Sequence, residues 1–305
     1  MDAERLWNRT FQSRRFLRHI IHVPDDYQLV TLANGERTLF SARYGEKMHP
    51  GPGPRAEADL LCVRQLRICE RLAEASDEFV IWDVGLGAAA NAIAVLRATT
   101  HISGRLRIVS FDNTAEPLEF ALKNADALGY LSGYEKQSGE LLRAKRTAFD
   151  NGSLQVDWEF HLEDFPAWLS QGRRTVPPAH AIFYDAFSPA KNPVMWTLPV
   201  FQNLYRALDP GRPCALTTYS RSTLLRATLL MAGFFVGIGH ATGLKEETTI
   251  AANALALVRE PLDHQWLTRA QRSHSAEPLH QPIYSRAPLT PASAAALLAH
   301  PQFKK

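Results

Sequence analysis

Asp83, Gly85, Gly87, Asp112, Asp164 and Asp185 carry most of the chemistry legible in this sequence. In Phe79-Val-Ile-Trp-Asp-Val-Gly-Leu-Gly-Ala-Ala-Ala-Asn91 a short apolar run holds Asp83 near its end, turns on Gly85 and Gly87, and passes into an alanine-rich stretch that reaches Asn91. Glycines there permit backbone angles and close approach that a Cβ forbids. The first N–H groups of the following helix then stay free for an anion or a carboxylate. Two cofactor classes use such a turn. Gly85, Gly87 and Ala90 satisfy the dinucleotide spacing, with Asp112 a little beyond the distance expected of a ribose-binding acid. Asp83, two residues before the first glycine, points instead to S-adenosyl-L-methionine, because an acid there can orient the amino-acid end of a sulfonium cofactor and would repel a pyrophosphate. An ordinary strand-to-helix turn is the third reading.

The remaining acids fall where strands should end. Asp112 closes Leu106–Asn113, where a carboxylate can accept from both ribose hydroxyls in either cofactor class. Asp164 is as well placed to accept from an adenine amino group as to cap the helix after it. Asp185 closes Ala179–Asp185 and opens Ala186-Phe-Ser-Pro-Ala-Lys-Asn-Pro-Val-Met-Trp196, in which Pro189 and Pro193 bracket Lys191 and Asn192. Prolines lower the entropy of a loop, as a substrate-facing loop requires. Asp185 could instead merely cap the helix after its strand.

These residues need a sheet to hold them. Strand, helix and strand in the order Phe79–Val84, Ala88–Thr99, Leu106–Asn113 predict a parallel pair with a right-handed crossover, so that Asp112 lies beside the glycine turn. Further strands are expected at Leu154–His161, Ala179–Asp185 and Cys214–Tyr219, and Gly233–Ile238 with Thr248–Val258 should close the sheet as an antiparallel pair. Such an ending favours a methyltransferase sheet over a dinucleotide-binding one. Ahead of it, residues 1–25 read as a basic amphipathic segment. Tyr27–Leu32 and Arg37–Arg43 flank an Asn34-Gly35 hairpin turn, Tyr44–Pro54 is too rich in glycine and proline for regular structure, and one helix is expected from Arg55 to about Ala75. Pro117–Leu128 reads as helix, and 135–149 as a further helical stretch with Arg143, Lys145 and Arg146 exposed. Three segments follow: 1–78 as a lead-in, 79–258 as the catalytic domain, and 259–305 as a Pro/His-rich extension with a short helix capped by Thr290.

With 305 residues, 46% of them aliphatic, aromatic or cysteine, the chain can build a full core, which excludes global disorder. Cys62, Cys69 and Cys214 form neither a C-x-x-C pair nor a metal cluster and read as buried thiols of a reduced, cytoplasmic protein. His264, His274, His280 and His300 have no metal-ligand spacing and read as solvated, so no metal is expected. No apolar run approaches a membrane span. A net charge of +3 permits a nucleic-acid substrate without demanding one.

The segment Ile182–Trp196 resembles the signature D-x-F-[AS]-P-x-x-N-P-x-M-W of MnmC-like methyltransferases, and the similarity extends over about residues 27–258. Tyr44-Gly-Glu-Lys-Met-His49 with Glu57, and Gly243-Leu-Lys-Glu-Glu247, look like further family stretches. The resemblance implies a Rossmann-like class I methyltransferase fold: α/β, a mostly parallel seven-stranded sheet with helices on both faces and a C-terminal antiparallel strand. It implies that Asp83, Gly85, Gly87, Asn91, Asp112 and Asp164 hold S-adenosyl-L-methionine and that Asp185 sits at the methyl-transfer centre. Phe187, Pro189, Lys191, Asn192, Pro193 and Trp196 would form the substrate loop, with Glu46, His49, Glu57, Lys245 and Glu246 as further site candidates. The implied substrate is a tRNA whose wobble uridine carries an aminomethyl group, and Arg143, Lys145, Arg146, Arg173 and Arg174 are candidate phosphate contacts. A flavin (FAD)-dependent demodification step would then belong to a separate enzyme. Ala89 stands where the family often has a third glycine and is expected to narrow the space near the cofactor. A methyltransferase of the same fold acting on a small molecule or protein, and a binding module without turnover, are the competing readings. The sequence does not specify an oligomeric state.

Overall fold

The computed structural model describes residues 26–172, 176–243 and 246–304. The basic segment 1–25, Arg173, Arg174 and Lys245 lie outside these. A small antiparallel sheet of β1 (Tyr27–Thr31), β2 (Arg37–Ser41) and β3 (Glu46–Lys47) comes first. The hairpin turns at Asn34-Gly35 as its sequence requires, and β3 puts regular structure into a stretch expected to have none. It exists because Met48 N donates to Leu39 O and the Thr38 hydroxyl to Met48 O, which lay this segment along β2.

The single helix expected over 55–75 is broken. Helix α1 (Pro54–Ala58) runs into a π-helical stretch, Asp59–Arg64, and α2 (Ile68–Ala73) restarts after Arg67, whose φ is 52°. The ion pair of Arg64 Nε with Asp59, 2.6 Å long at five-residue spacing, suits a π turn rather than an α turn. Gln65 then leaves the helix line to donate to Thr217 Oγ1 and to accept from His240 N, tying this segment to the main sheet.

The main sheet follows: β4 (Phe79–Val84), α3 (Ala90–Ala98), β5 (Gly104–Asp112), α4 (Glu116–Lys123), α5 (Ala125–Leu128), α6 (Glu135–Ala144), β6 (Arg146–Asn151), β7 (Leu154–Leu162), α7 (Phe165–Ser170), β8 (Ala181–Tyr184), α8 (Leu198–Ala207), β9 (Ala215–Thr218), α9 (Thr223–Ala232), β10 (Phe235–Gly239) and β11 (Thr248–Ala252). Their order is β10-β11-β9-β8-β4-β5-β7-β6, with β4, β5, β7, β8 and β9 parallel to their neighbours in that core. β11 inserts antiparallel between β9 and β10. This is the expected seven-stranded sheet with one strand added. The addition is β6, antiparallel to β7 at the far edge, in residues that read as the end of a helix. Lys145, at φ 61°, ends α6, and Gly152 turns the β6–β7 hairpin so close to the segment after α3 that a Cβ on it would lie 2.1 Å from Thr100 O.

Strand β4 is buried along its whole length because helices cover both faces. Phe79 and Ile81 enter one apolar cluster with α3, while Val80, Trp82 and Val84 enter the other with α7, α8 and α9. The C-terminal residues join that second cluster. α10 (His264–Gln271) and α11 (Pro291–Leu298) bury Trp266, Leu267 and Leu297 there, together with Leu279 and Phe303. Thr290 caps α11 as its sequence predicts. His300 differs from the solvated side chain expected: it is 8% exposed, packs edge-on against Phe235, and burial lowers its pKa. Among the described residues no helix is long and apolar enough to cross a membrane.

Candidate active site

The carboxyl ends of β4, β5 and β8 meet at a cavity of about 360 Å³, roofed by the β2–β3 segment and by the loop after β8. That volume lies in the range of small-molecule and cofactor sites. Gly85 at φ 92° and Gly87 at φ 51° form its floor. Gly85 N and Leu86 N both donate to Phe111 O, at 2.9 and 3.1 Å, so the turn is clamped to the end of β5. A Cβ on Gly85 would lie 2.6 Å from Asp185 O, which makes a glycine obligatory where the ends of β4 and β8 touch. No side chain caps α3, so its first N–H groups face the turn.

Asp112 lines the cavity beside that turn. It accepts from Gly87 N at 2.9 Å and from Thr114 N at 3.2 Å; burial pushes its pKa up against the pull of these bonds. A carboxylate has about four lone-pair sites, so two hydroxyl donors can still be received. Asp164 caps α7 by accepting from Ala167 N and also lines the cavity, so the two roles offered for it are compatible. Asp83 stands one step back. It is fully buried, it accepts from Ser110 Oγ at 2.8 Å while its other oxygen has no partner among the described residues, and burial raises its pKa to about 7. It does not line the cavity.

Asp185 follows β8, its N–H bonded to Val84 O at 2.9 Å, and its side chain faces the cavity. It does not cap a helix. Asn91 Nδ2 donates to its Oδ2 at 2.8 Å, and His49 Nε2 lies 3.7 Å from the same oxygen. His49 Nδ1 is 3.6 Å from Glu57. Six carboxylates line the cavity (Glu46, Glu57, Asp112, Glu163, Asp164 and Asp185) against Lys47 and His49, a balance that favours a cationic ligand.

The predicted loop is built as a frame. Trp196 is fully buried and donates to Phe187 O at 2.7 Å, so it anchors the loop and does not line the cavity. Pro189, Lys191 and Pro193 also stay outside the lining, whereas Phe187, Ser188 and Asn192 belong to it. Glu46 reaches across from the small sheet to accept from Ser188 N, at 3.1 Å, and from its hydroxyl, while Tyr44 stacks on Phe187 at 4.1 Å. Glu246 has a 95% exposed side chain paired with Arg221, away from the cavity, and Lys245 is outside the described residues. Ala89 does not narrow the site either. It is fully buried at φ 63° as the N-cap residue of α3 and is absent from the lining. Tyr27, Tyr44, Met48, Tyr219 and Thr242 line the cavity without having been foreseen. Of these only Tyr219, just past the end of β9, carried a usable signal: it lies on the same carboxyl rim as Asp112 and Asp185.

A glycine turn open to a ligand, an acid with spare acceptor sites beside it, and an anionic cavity at the switch point of a parallel sheet define a class I S-adenosyl-L-methionine-dependent methyltransferase, and the residues present fit that cofactor. A profile of S-adenosyl-L-methionine-dependent methyltransferases matches residues 133–254. The chain is 29% identical over 231 residues to the tRNA 5-methylaminomethyl-2-thiouridine biosynthesis bifunctional protein MnmC of Aeromonas hydrophila, covering 70% of this chain and 34% of that protein. It is 31% identical over 225 residues to the protein of the same name from Ralstonia nicotianae, covering 70% and 33%. The crystal structure of MnmC2 from Aquifex aeolicus superposes with a TM-score of 0.65 at 24% identity, over 89% of this chain and 84% of that one. The chain is an S-adenosyl-L-methionine-dependent methyltransferase similar to one part of the MnmC proteins, and it spans about a third of the length of the curated relatives it matches.

Proposed function

We propose that the protein methylates the nitrogen of an aminomethyl group on the wobble uridine of a tRNA. The observation that carries this reading is Asp185, held at the cavity wall beside the glycine turn by Asn91, with His49 between it and Glu57. The curated relatives support it by their name, which specifies 5-methylaminomethyl-2-thiouridine in tRNA. In this reading Asp112 receives the ribose hydroxyls, Asp164 the adenine amino group, and the Gly85–Gly87 turn lies under the cofactor. Buried Asp83 stands behind the turn and makes no wall of the cavity. S-adenosyl-L-methionine, bound there, supplies a methyl group on a sulfonium centre.

The protein's own work is to position and to deprotonate. An aminomethyl group arrives mostly as an ammonium, which has no lone pair to donate. Asp185 accepts a hydrogen bond from it, aligns it, and takes one N–H proton so that the nitrogen becomes a nucleophile. Asn91 fixes the carboxylate for this task, and the Phe187–Asn192 loop, braced by Glu46 and Trp196, forms the wall against which the base packs. A tRNA substrate puts this work in the cytoplasm.

A second reading keeps the methyl transfer and replaces the tRNA by a small molecule or protein. It is favoured by the internal commitments of two expected phosphate contacts: Lys145 lies over the Phe160 ring and donates to Leu142 O, and Arg146 is paired with Asp157. Mass analysis of wobble nucleosides from cells lacking the gene decides between them. Loss of the methylaminomethyl nucleoside, with the aminomethyl precursor accumulating, is expected; an unchanged nucleoside profile removes the tRNA reading. Asp185→Ala should lower methyl transfer by about 100-fold or more with the cofactor still bound, since general-base assistance is worth 10²–10⁴-fold. Undiminished transfer removes Asp185 from the mechanism.

A further inference from the structure

Among the described residues, His49 is the largely covered basic side chain of the cavity wall, and its place in the wall is unusual. It sits in the left-handed region at φ 49°, in the segment after β3, with its side chain only 12% exposed. A side chain outside glycine's range is held there at a cost of about 1–2 kcal/mol, which persists where the surroundings over-determine the position. The surroundings here are acids from three elements: Asp185 after β8 at 3.7 Å, Glu57 of α1 at 3.6 Å, and Asp83 of β4 behind them. The uncharged groups beside them are Cys62 of the π-helical stretch and Tyr219 after β9, both of which burial keeps protonated.

We infer that His49 is a resident cation of the site, a positioning residue whose imidazolium holds Asp185 and Glu57 until a cationic ligand replaces it, and which then, uncharged, receives through Asp185 the proton that the acceptor amine sheds. Burial alone would discharge the ring. Asp185, then Glu57, more than reverse that and raise its pKa to about 9. A second cation brought against the same carboxylates withdraws this support, and the ring releases its proton to solvent. The neutral Nε2 then faces Asp185 Oδ2. One N–H proton passes from the ammonium to Oδ2 and from Oδ2 to Nε2, the electron pair left on the amine nitrogen would form the new N–C bond while the donor's S–C pair stays on sulfur, and the product leaves as the methylated ammonium. The separation of 3.7 Å is that of an ion pair, so the side chains must close by a small rotation for the transfer.

The first half concerns the cavity's charge and stands whatever the acceptor is; the second rests on the amine-methylation reading. Histidine-ring NMR titrations of the full chain test the first. One ring should titrate near pH 9 and vanish in His49→Gln. Sinefungin, which carries an ammonium in place of the sulfonium, should lower that pKa by about two units or more, to near 7 or below, and uncharged-sulfur S-adenosylhomocysteine by clearly less. Equal shifts, or no ring titrating above pH 8, overturn the inference. For the second half, the ascending limb of kcat/KM should move in His49→Gln and kcat should fall at least tenfold with cofactor affinity kept within threefold. An unchanged profile overturns the relay. An absence of methylation in the wild type on every amine offered, with the sinefungin shift intact, would instead sink the amine reading and leave the resident cation standing.

Discussion

Asp83 and Asn91 show how much a single side chain decides at this site. Asn91 spends its amide on Asp185 Oδ2 while itself only 5% exposed, so Asn91→Ala should cost about tenfold in methyl transfer, roughly 1.4 kcal/mol, from a looser carboxylate. Kinetics of the variant, with melting curves to exclude unfolding, check this. Asp83 is destabilising when charged. Its pKa of about 7 lies above that of a solvated aspartate, so the folded protein holds the proton more tightly than the unfolded chain. The associated stability is fully present below pH 4 and is lost as the pH rises through 7. Asp83→Asn, which can still accept from Ser110, should therefore raise the stability of the ligand-free protein by roughly 3 kcal/mol at pH 8 and much less at pH 5. An equal gain at both would contradict the burial argument. Asp83 was legible in the sequence as an acid beside the turn, but a period-two strand does not reveal which acid faces the ligand when both faces of the sheet are covered.

At the scale of elements, the sheet was legible because its strands are short apolar runs that end in acids, and the acids reported the carboxyl rim. What stayed hidden was non-local. β6 exists through pairing with β7, α1 and α2 are parted by a π turn that side chains of β9 and β11 support, and the roof of the cavity is made by a segment whose glycines and prolines suggested only a loop. The glycine turn illustrates both cases. Gly85→Ala should destabilise the protein by about 1–3 kcal/mol and abolish transfer, because its Cβ meets Asp185 O and Asp185 N cannot move off Val84 O without shifting the acid. Ala89→Gly should change stability by under about 1 kcal/mol. Relief of the left-handed alanine, about 1 kcal/mol, is offset by the loss of a buried methyl worth about 0.8 kcal/mol. Melting temperatures of the two variants, measured side by side, separate these outcomes.

For the whole molecule, the C-terminal residues are part of the fold. Leu262, Trp266, Leu267, Leu279, Leu297 and Phe303 lie in the same apolar cluster as Trp82 and Val84 of β4. The segment lies so flat on β10 that a Cβ on Gly237 would come within 2.5 Å of Glu260 O. Gln302 completes the edge, accepting from Val236 N at 2.7 Å and donating to Val236 O and Leu262 O at 2.8 Å each. Leu279 O accepts from Leu198 N, which ties the same segment to the start of α8, directly after the loop that carries Phe187 and Trp196. Each buried side chain is worth roughly 2 kcal/mol, so together they match the ~5–15 kcal/mol by which a domain is stable at all. Removing residues 259–305 should therefore leave a chain that does not melt cooperatively, and the milder Gln302→Ala should cost about 1–3 kcal/mol for the unpaired groups it leaves on β10. Calorimetry of both decides the matter: a truncated chain that unfolds in one sharp transition near that of the full protein would show that the sheet holds its loop unaided.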